Sequence, residues 1–188
     1  MKKLISSIIL SLDGFVADKK GDLSMFKVED EFFTFSGKLT EEADVALYGK
    51  GTYKIMQSYW PTAAEQPNAG KHDKEHAAWY NKVEKIVLSK TLTRNDAPNA
   101  RIISNNVVEE INKLKAGQGK AIQIFGSPGA VRTLTEVRLI DEYYIFIYPV
   151  TIGDGIPLFQ GMKERMEFKL LSCNKLSSGA VMLHYQKP

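Results

Sequence analysis

Residues 121–159, AIQIFGSPGAVRTLTEVRLIDEYYIFIYPVTIGDGIPLF, pass from strand to helix and back to strand, with glycines at the turns. Ala121 to Phe125 has the length and β-branched content of a buried strand. It stops at Gly126-Ser127-Pro128-Gly129, after which Val131, Leu134, Val137 and Leu139-Ile140 fall on one helical face. Residues 141–148 read as a strand ending at Pro149, followed by the glycine loop 151–155 and the apolar Ile156 to Phe159. A strand that turns through glycine into a helix aims unpaired backbone N–H groups at one point, where the helix dipole favours an anion. Phosphate is the usual guest, and glycine lets the backbone come close to it. Glycine is also what a tight strand-to-helix connection requires, so the residue types alone name no ligand.

A second corner of this kind lies upstream. Residues 43–48 read as a short strand, Gly49-Lys50-Gly51 follows, and a helix begins at Thr52 with Thr52 or Gly51 as its cap. Lys50 and Thr52 place a cation and a hydroxyl there, although a solvated loop lysine is the commoner case. Residues 2–11 form a buried strand that leaves through the loop 12–17, in which Asp13-Gly14 is a turn signal. A loop at that end of a central strand borders the ligand crevice of an open α/β sheet. Helices are expected over 29–39, 76–80 and 107–115, the last closed by Gly117, and strands over 85–89 and 100–104. Residues 62–74 read as a polar surface loop. Segments 166–174 and 180–186 read as an antiparallel hairpin turning at Ser177-Ser178-Gly179. Strands and helices alternate over most of the chain, which predicts one α/β domain spanning 1–188, with a mixed sheet flanked by helices.

Composition narrows the function classes. At 188 residues with 44% hydrophobic and 25% charged residues, the chain can bury a proper core as a soluble globular protein. A net charge of +3 without a basic block argues against nucleic acid, and no apolar run reaches membrane-spanning length. The single cysteine, Cys173, suits a reducing compartment, and its strand position predicts a buried, inert thiol. The basic and apolar start, residues 1–12, is interrupted by Asp13-Gly14 and reads as a strand rather than a signal peptide, so a cytoplasmic protein is expected. His72 and His76 share an i, i+4 spacing, but with no third ligand nearby no metal site is expected. No G-x-S-x-G elbow occurs. Glycine corners without an evident nucleophile or metal suit an enzyme whose cofactor carries the chemistry.

The segments SLDGFVA (11–17), LYGKGTY (47–53), IFGSPG (124–129), LIDE (139–142) and PVTIGDGIPLF (149–159), in this order, resemble the dihydrofolate-reductase-like superfamily. They are most similar to its branch represented by the C-terminal reductase domain of the riboflavin-biosynthesis protein RibD. The resemblance implies a three-layer α/β fold, with a mixed, mostly parallel central sheet flanked by helices and a C-terminal antiparallel hairpin. It also implies an NADPH-dependent reductase that passes hydride to a flat heterocycle, either a pyrimidine of riboflavin biosynthesis or a pterin-like ring. Gly49, Lys50 and Thr52 would hold the 2′-phosphate and pyrophosphate side of NADPH, and Ser89 would lie near the adenosine. Gly126, Ser127, Gly129 and Ala130 would cradle the pyrophosphate, while Leu12, Asp13, Val16 and Ala17 would flank the nicotinamide. A homodimer is expected by the same analogy, with the 166–186 hairpin as its contact.

The chain departs from the pattern in places. Lys50 stands where the family often has arginine, keeping the charge but losing the bidentate fork. No deaminase zinc motif is present, and residues 37–44, GKLTEEAD, lack the basic residues that would grip a ribose phosphate. Glu29, Asp30 and Glu31 do not match the proton-donating acid of folate reductases and read as a solvated helix start. Trp60 and Tyr53 are flat enough to stack on a ring and equally suited to packing. No catalytic residue is identified, and a nucleotide-binding protein without catalysis stands as the alternative.

Overall fold

The computed structural model describes residues 1–94 and 96–187. Its spine is the apolar run β1 (Leu4–Ser11), flanked in parallel by β6 (Ala121–Phe125) and β7 (Glu142–Tyr148). Beyond β6 lie β3 (Ala43–Gly49), β4 (Glu84–Leu88) and β5 (Ala100–Ile103), all parallel. Beyond β7, the strands β10 (Val181–Gln186) and β9 (Lys169–Lys175) pair antiparallel and end the sheet. The order is therefore β5-β4-β3-β6-β1-β7-β10-β9, the mixed, mostly parallel sheet with a C-terminal hairpin that the resemblance implies.

Strand periodicity sorts the side chains onto two faces. Val45, Leu47, Ile122 and Ile124 pack with Val131, Leu134 and Ile111, which belong to α4 (Val107–Ala116) and α5 (Pro128–Glu136). Their neighbours Ala46, Tyr48 and Phe125 pack on the opposite face with Tyr53 and Tyr80. Those two tyrosines come from α2 (Lys50–Tyr59) and α3 (Lys71–Lys82). On this second face Phe32 and Phe35 of α1 (Asp30–Glu41) meet Phe146 edge-on at 4.9 and 5.4 Å. Such pairs add about 1 kcal/mol each to the area they bury. Tyr53 is fully buried here and is a core residue, not a ring-stacking one.

Several local expectations are corrected. Helix α2 starts at Lys50, two residues earlier than Thr52, because Gly49 is already in the extended N-cap conformation. Residues 62–74 are not a loop: a 3-10 turn spans Trp60–Glu65, and α3 begins at Lys71, its first turn held by Asp73 accepting from the Gly70 N–H. Residues 15–18 and 155–157, for which no strand is expected from the sequence, form β2 (Phe15–Asp18) and β8 (Gly155–Pro157), a separate antiparallel pair. Gly155 makes this pairing possible, since a Cβ there would fall 2.2 Å from the Ala17 carbonyl oxygen. Cys173 is exposed rather than buried, because β9 is the edge strand and no helix covers it. Glu29 and Glu31 are not merely solvated: Glu29 accepts from Ser178 Oγ (2.6 Å), and Glu31 from the Ser177 N–H (2.8 Å), tying α1 to the hairpin turn. Among the described residues no helix is long and apolar enough to cross a membrane.

Candidate functional site

Because β3 and β6 are parallel neighbours, with Leu47 opposite Ile124, their glycine-terminated ends emerge side by side. The two strand–glycine–helix corners therefore meet. Gly126 (φ 54°) and Ser127 (φ 56°) are both left-handed, which swings the chain from β6 into α5. Ser127, buried, does not cap its own helix; its Oγ accepts the Gly49 N–H at 3.1 Å. A Cβ on Gly49 would lie 3.8 Å from Ala130 Cβ, and one on Gly126 3.8 Å from Thr52 Cγ2, so the corners are in contact. Pro128 at the first helical position has no N–H to lose, while Gly129 and Ala130 follow in the first turn, where donors lack intrahelical partners.

Lys50 opens α2, and its ammonium donates to Thr91 Oγ1 at 2.8 Å. Ser89 accepts from the N–H groups of Thr91 and Leu92 (3.2 and 2.9 Å) and shapes the turn that presents Thr91 to Lys50. Both corners open into one cleft of about 830 Å³ at the C-terminal ends of the parallel strands. That volume suits a small-molecule or cofactor site.

Of the residues singled out from the sequence, Val16, Ala17, Gly49, Lys50, Thr52, Ser89, Gly126, Ser127, Gly129 and Ala130 all line this cleft. Leu12 and Asp13 are not part of its wall. The Asp13 carboxylate accepts from Ser11 Oγ (2.5 Å) and from the N–H groups of Ile152 and Gly153 (3.1 and 2.7 Å). These bonds, the Ser11 hydroxyl foremost, lower its pKa. Asp13 thus clamps the 151–155 loop to the end of β1, and Leu12 beside it points to solvent with 64% exposure. The 139–142 segment lies at the other end of the sheet. There Asp141 accepts from the Leu4 N–H (2.8 Å), Lys115 (2.6 Å) and Lys187 (2.7 Å), joining β1, α4 and the chain's end.

The rest of the cleft's wall, apart from Trp60, escaped the sequence reading. It includes Phe32, Phe33 and Ser36 of α1, Trp60 of the 3-10 turn, and His72 and His76 of α3. His72, His76, Trp79 and Tyr80 recur at helical spacing and face inward, so His72 does not stand on the polar surface loop expected over 62–74. Phe33 contacts His72 at 4.6 Å, and Trp60 contacts His76 at 4.0 Å between ring centres. Burial, helped by His72, pushes the His76 pKa down to about 3, which keeps its imidazole neutral. Among the described residues no cluster of three or more His, Cys, Asp or Glu side chains could hold a metal ion. Among them, too, no carboxylate lines the cleft.

Comparison with known proteins accords with this architecture. The model of the RibD C-terminal domain matches residues 2–182. The uncharacterized protein YyaP of Bacillus subtilis (strain 168) is 32% identical over 185 residues, covering 98% of this chain and 94% of that protein. A Shewanella sp. PV-4 protein named for riboflavin biosynthesis superposes with a TM-score of 0.74 at 22% identity, over 99% of both chains. The diaminohydroxyphosphoribosylaminopyrimidine deaminase/5-amino-6-(5-phosphoribosylamino)uracil reductase of Thermotoga maritima gives 0.71 at 16% identity, over all of this chain and 57% of that one. The chain belongs to the RibD C-terminal domain family.

Proposed function

We propose that this protein is an NADPH-dependent reductase that delivers hydride to a flat heterocyclic small molecule. The observation that carries the reading is the meeting of the two glycine corners, with Lys50 between them, on the rim of a single cleft. The residues present fit the cofactor: a Cβ on Gly129 would meet nothing within 4 Å, so the start of α5 is open to a phosphate. Backbone N–H groups at Gly129 and Ala130 would hold the pyrophosphate, and Lys50 with Thr52 the 2′-phosphate side. Val16 and Ala17, on the short β2–β8 sheet, would shield the nicotinamide from water. When bound, NADPH supplies the hydride; the accompanying proton is assigned to water, since no carboxylic acid among the described residues lines the cleft. The same lack of an acid favours the second reading, a nucleotide-binding protein without catalysis. The protein is expected to work in the cytoplasm as a homodimer paired along edge strand β9, where Leu170 and Leu171 are exposed.

The test is a thermal-shift titration with NADPH and, separately, NADH. At a hundred times Kd a ligand specific for the folded state contributes about 2.7 kcal/mol, a rise of roughly 5–10 °C for a chain of this size. No shift with either at millimolar concentration would overturn the cofactor assignment. Binding without NADPH oxidation over a panel of pyrimidines, pterins and related heterocycles would favour the non-catalytic reading.

A further inference from the structure

The two walls of the cleft offer different chemistry. Among the described residues, the cations that line it are Lys20, Lys50 and Lys90. Lys50 and Lys90 stand at the corner side, at the start of α2 and just past β4, and Lys20 on the exposed loop after β2. From α1, the 3-10 turn and α3, only aromatic rings, Ser36 and the histidines reach the cleft. The Trp60 indole N–H is already given to Met56 Sδ at 2.9 Å. His76 is different: it is only 5% exposed, and neither ring nitrogen has a hydrogen-bond partner among the described residues. An unpaired buried polar group is destabilising unless something supplies its partner. A neutral imidazole presents a donor nitrogen and an acceptor nitrogen on diverging sides of its ring, so one of them can pair with the N–H or C=O at the edge of an uncharged heterocycle.

We propose that this wall binds the ring of the hydride acceptor, that His76 hydrogen-bonds its polar edge, and that the acceptor carries no phosphate. The inference rests on the reductase reading and narrows it. It separates this chain from the Thermotoga maritima relative, whose name specifies a phosphoribosylamino uracil. A ribose phosphate projecting from a ring held against this wall would meet no cation that α1, the 3-10 turn or α3 sends into the cleft. His76 acts here as a specificity residue.

The experiment uses the full chain without cofactor. Lumazine, 5,6-diaminouracil and 5-amino-6-(5-phosphoribosylamino)uracil are titrated calorimetrically, while the side-chain nitrogen resonances of His76 are followed by NMR. At least one phosphate-free ring is expected to bind and to shift the His76 resonances. The phosphoribosyl compound should bind no tighter than 5,6-diaminouracil. His76→Phe, with a retained melting transition, should weaken ring binding at least tenfold, and His76→Gln should recover part of the loss. Tenfold tighter binding of the phosphoribosyl compound overturns the proposal, as does ring binding unchanged in His76→Phe. Should His76→Phe fail to fold, the wild-type resonances decide, and resonances unmoved by every probe overturn it. Failure of the reductase reading looks different: ring binding with the His76 shift intact, but no thermal shift with NADPH.

Discussion

The backbone N–H of Gly49 donates to Ser127 Oγ across 3.1 Å, joining the ends of two strands whose residues lie 78 apart in the chain. This bond locks one corner against the other, so the donors at the start of α5 and the Lys50 side chain share one rim. Ser127→Ala removes the acceptor and leaves the Gly49 N–H unpaired. The expected loss is about 1 kcal/mol in urea denaturation, with NADPH affinity lowered roughly fivefold as the corners loosen. A variant as stable as the parent would show that the bond does not hold the corners together.

Lys50 tests the cofactor's phosphate. Its ammonium sits on Thr91 Oγ1 and is free to exchange that hydroxyl for a charged oxygen. Hydrogen bonds to charged groups contribute about 1.5–3 kcal/mol. Lys50→Ala is therefore expected to weaken NADPH at least tenfold and NADH much less, read by titration calorimetry. Equal loss for both would remove Lys50 from the 2′-phosphate.

Acid should act through His76. Its folded pKa of about 3 lies below the ordinary 6.5, so on acidification the unfolded chain takes up the proton first. The stability tied to neutral His76 is in full effect above pH ~6.5 and is lost as pH falls toward 3, at up to about 1.4 kcal/mol per pH unit. His76→Phe should therefore lose less stability than the parent between pH 6 and 4, in denaturation curves taken at each pH. Parallel profiles would mean that protons reach His76 in the folded protein.

At the far end of the sheet, Asp141 holds three donors. Burial opposes its ionisation, but the Leu4 N–H and the ammonium groups of Lys115 and Lys187 outweigh that and lower its pKa. Lys115 is itself buried, at 2.6 Å. Asp141→Asn leaves that ammonium without its counter-charge, and a loss of about 3 kcal/mol is expected. Because Asp141 is remote from the cleft, NADPH affinity of the folded variant should not change, which thermal-shift titration would check.

Both glycine corners, the alternating strand pattern and the closing hairpin were legible in the sequence, because each is a local matter of side-chain period and backbone freedom. The apolar run 43–48 already announced a strand, and the structure buries both its faces, Val45 and Leu47 on one and Ala46 and Tyr48 on the other. Tertiary structure alone decided what those elements meet. The order β3-β6-β1 brings Gly49 to Ser127, which no local pattern encodes. Pairing of β2 with β8 joins two short stretches that lack a strand signature of their own, and it engages Asp13 in holding a loop instead of lining the cleft. The i, i+4 spacing of His72 and His76 was visible, but its meaning depended on Trp60, Phe33 and Phe125 arriving from other elements to bury the rings. Cys173 is exposed for the converse reason: nothing covers β9. Period and turn chemistry act over a few residues, whereas burial is set by non-local packing; so the sequence by itself determined most of the elements and both glycine corners, and the fold decided which side chains line the cleft.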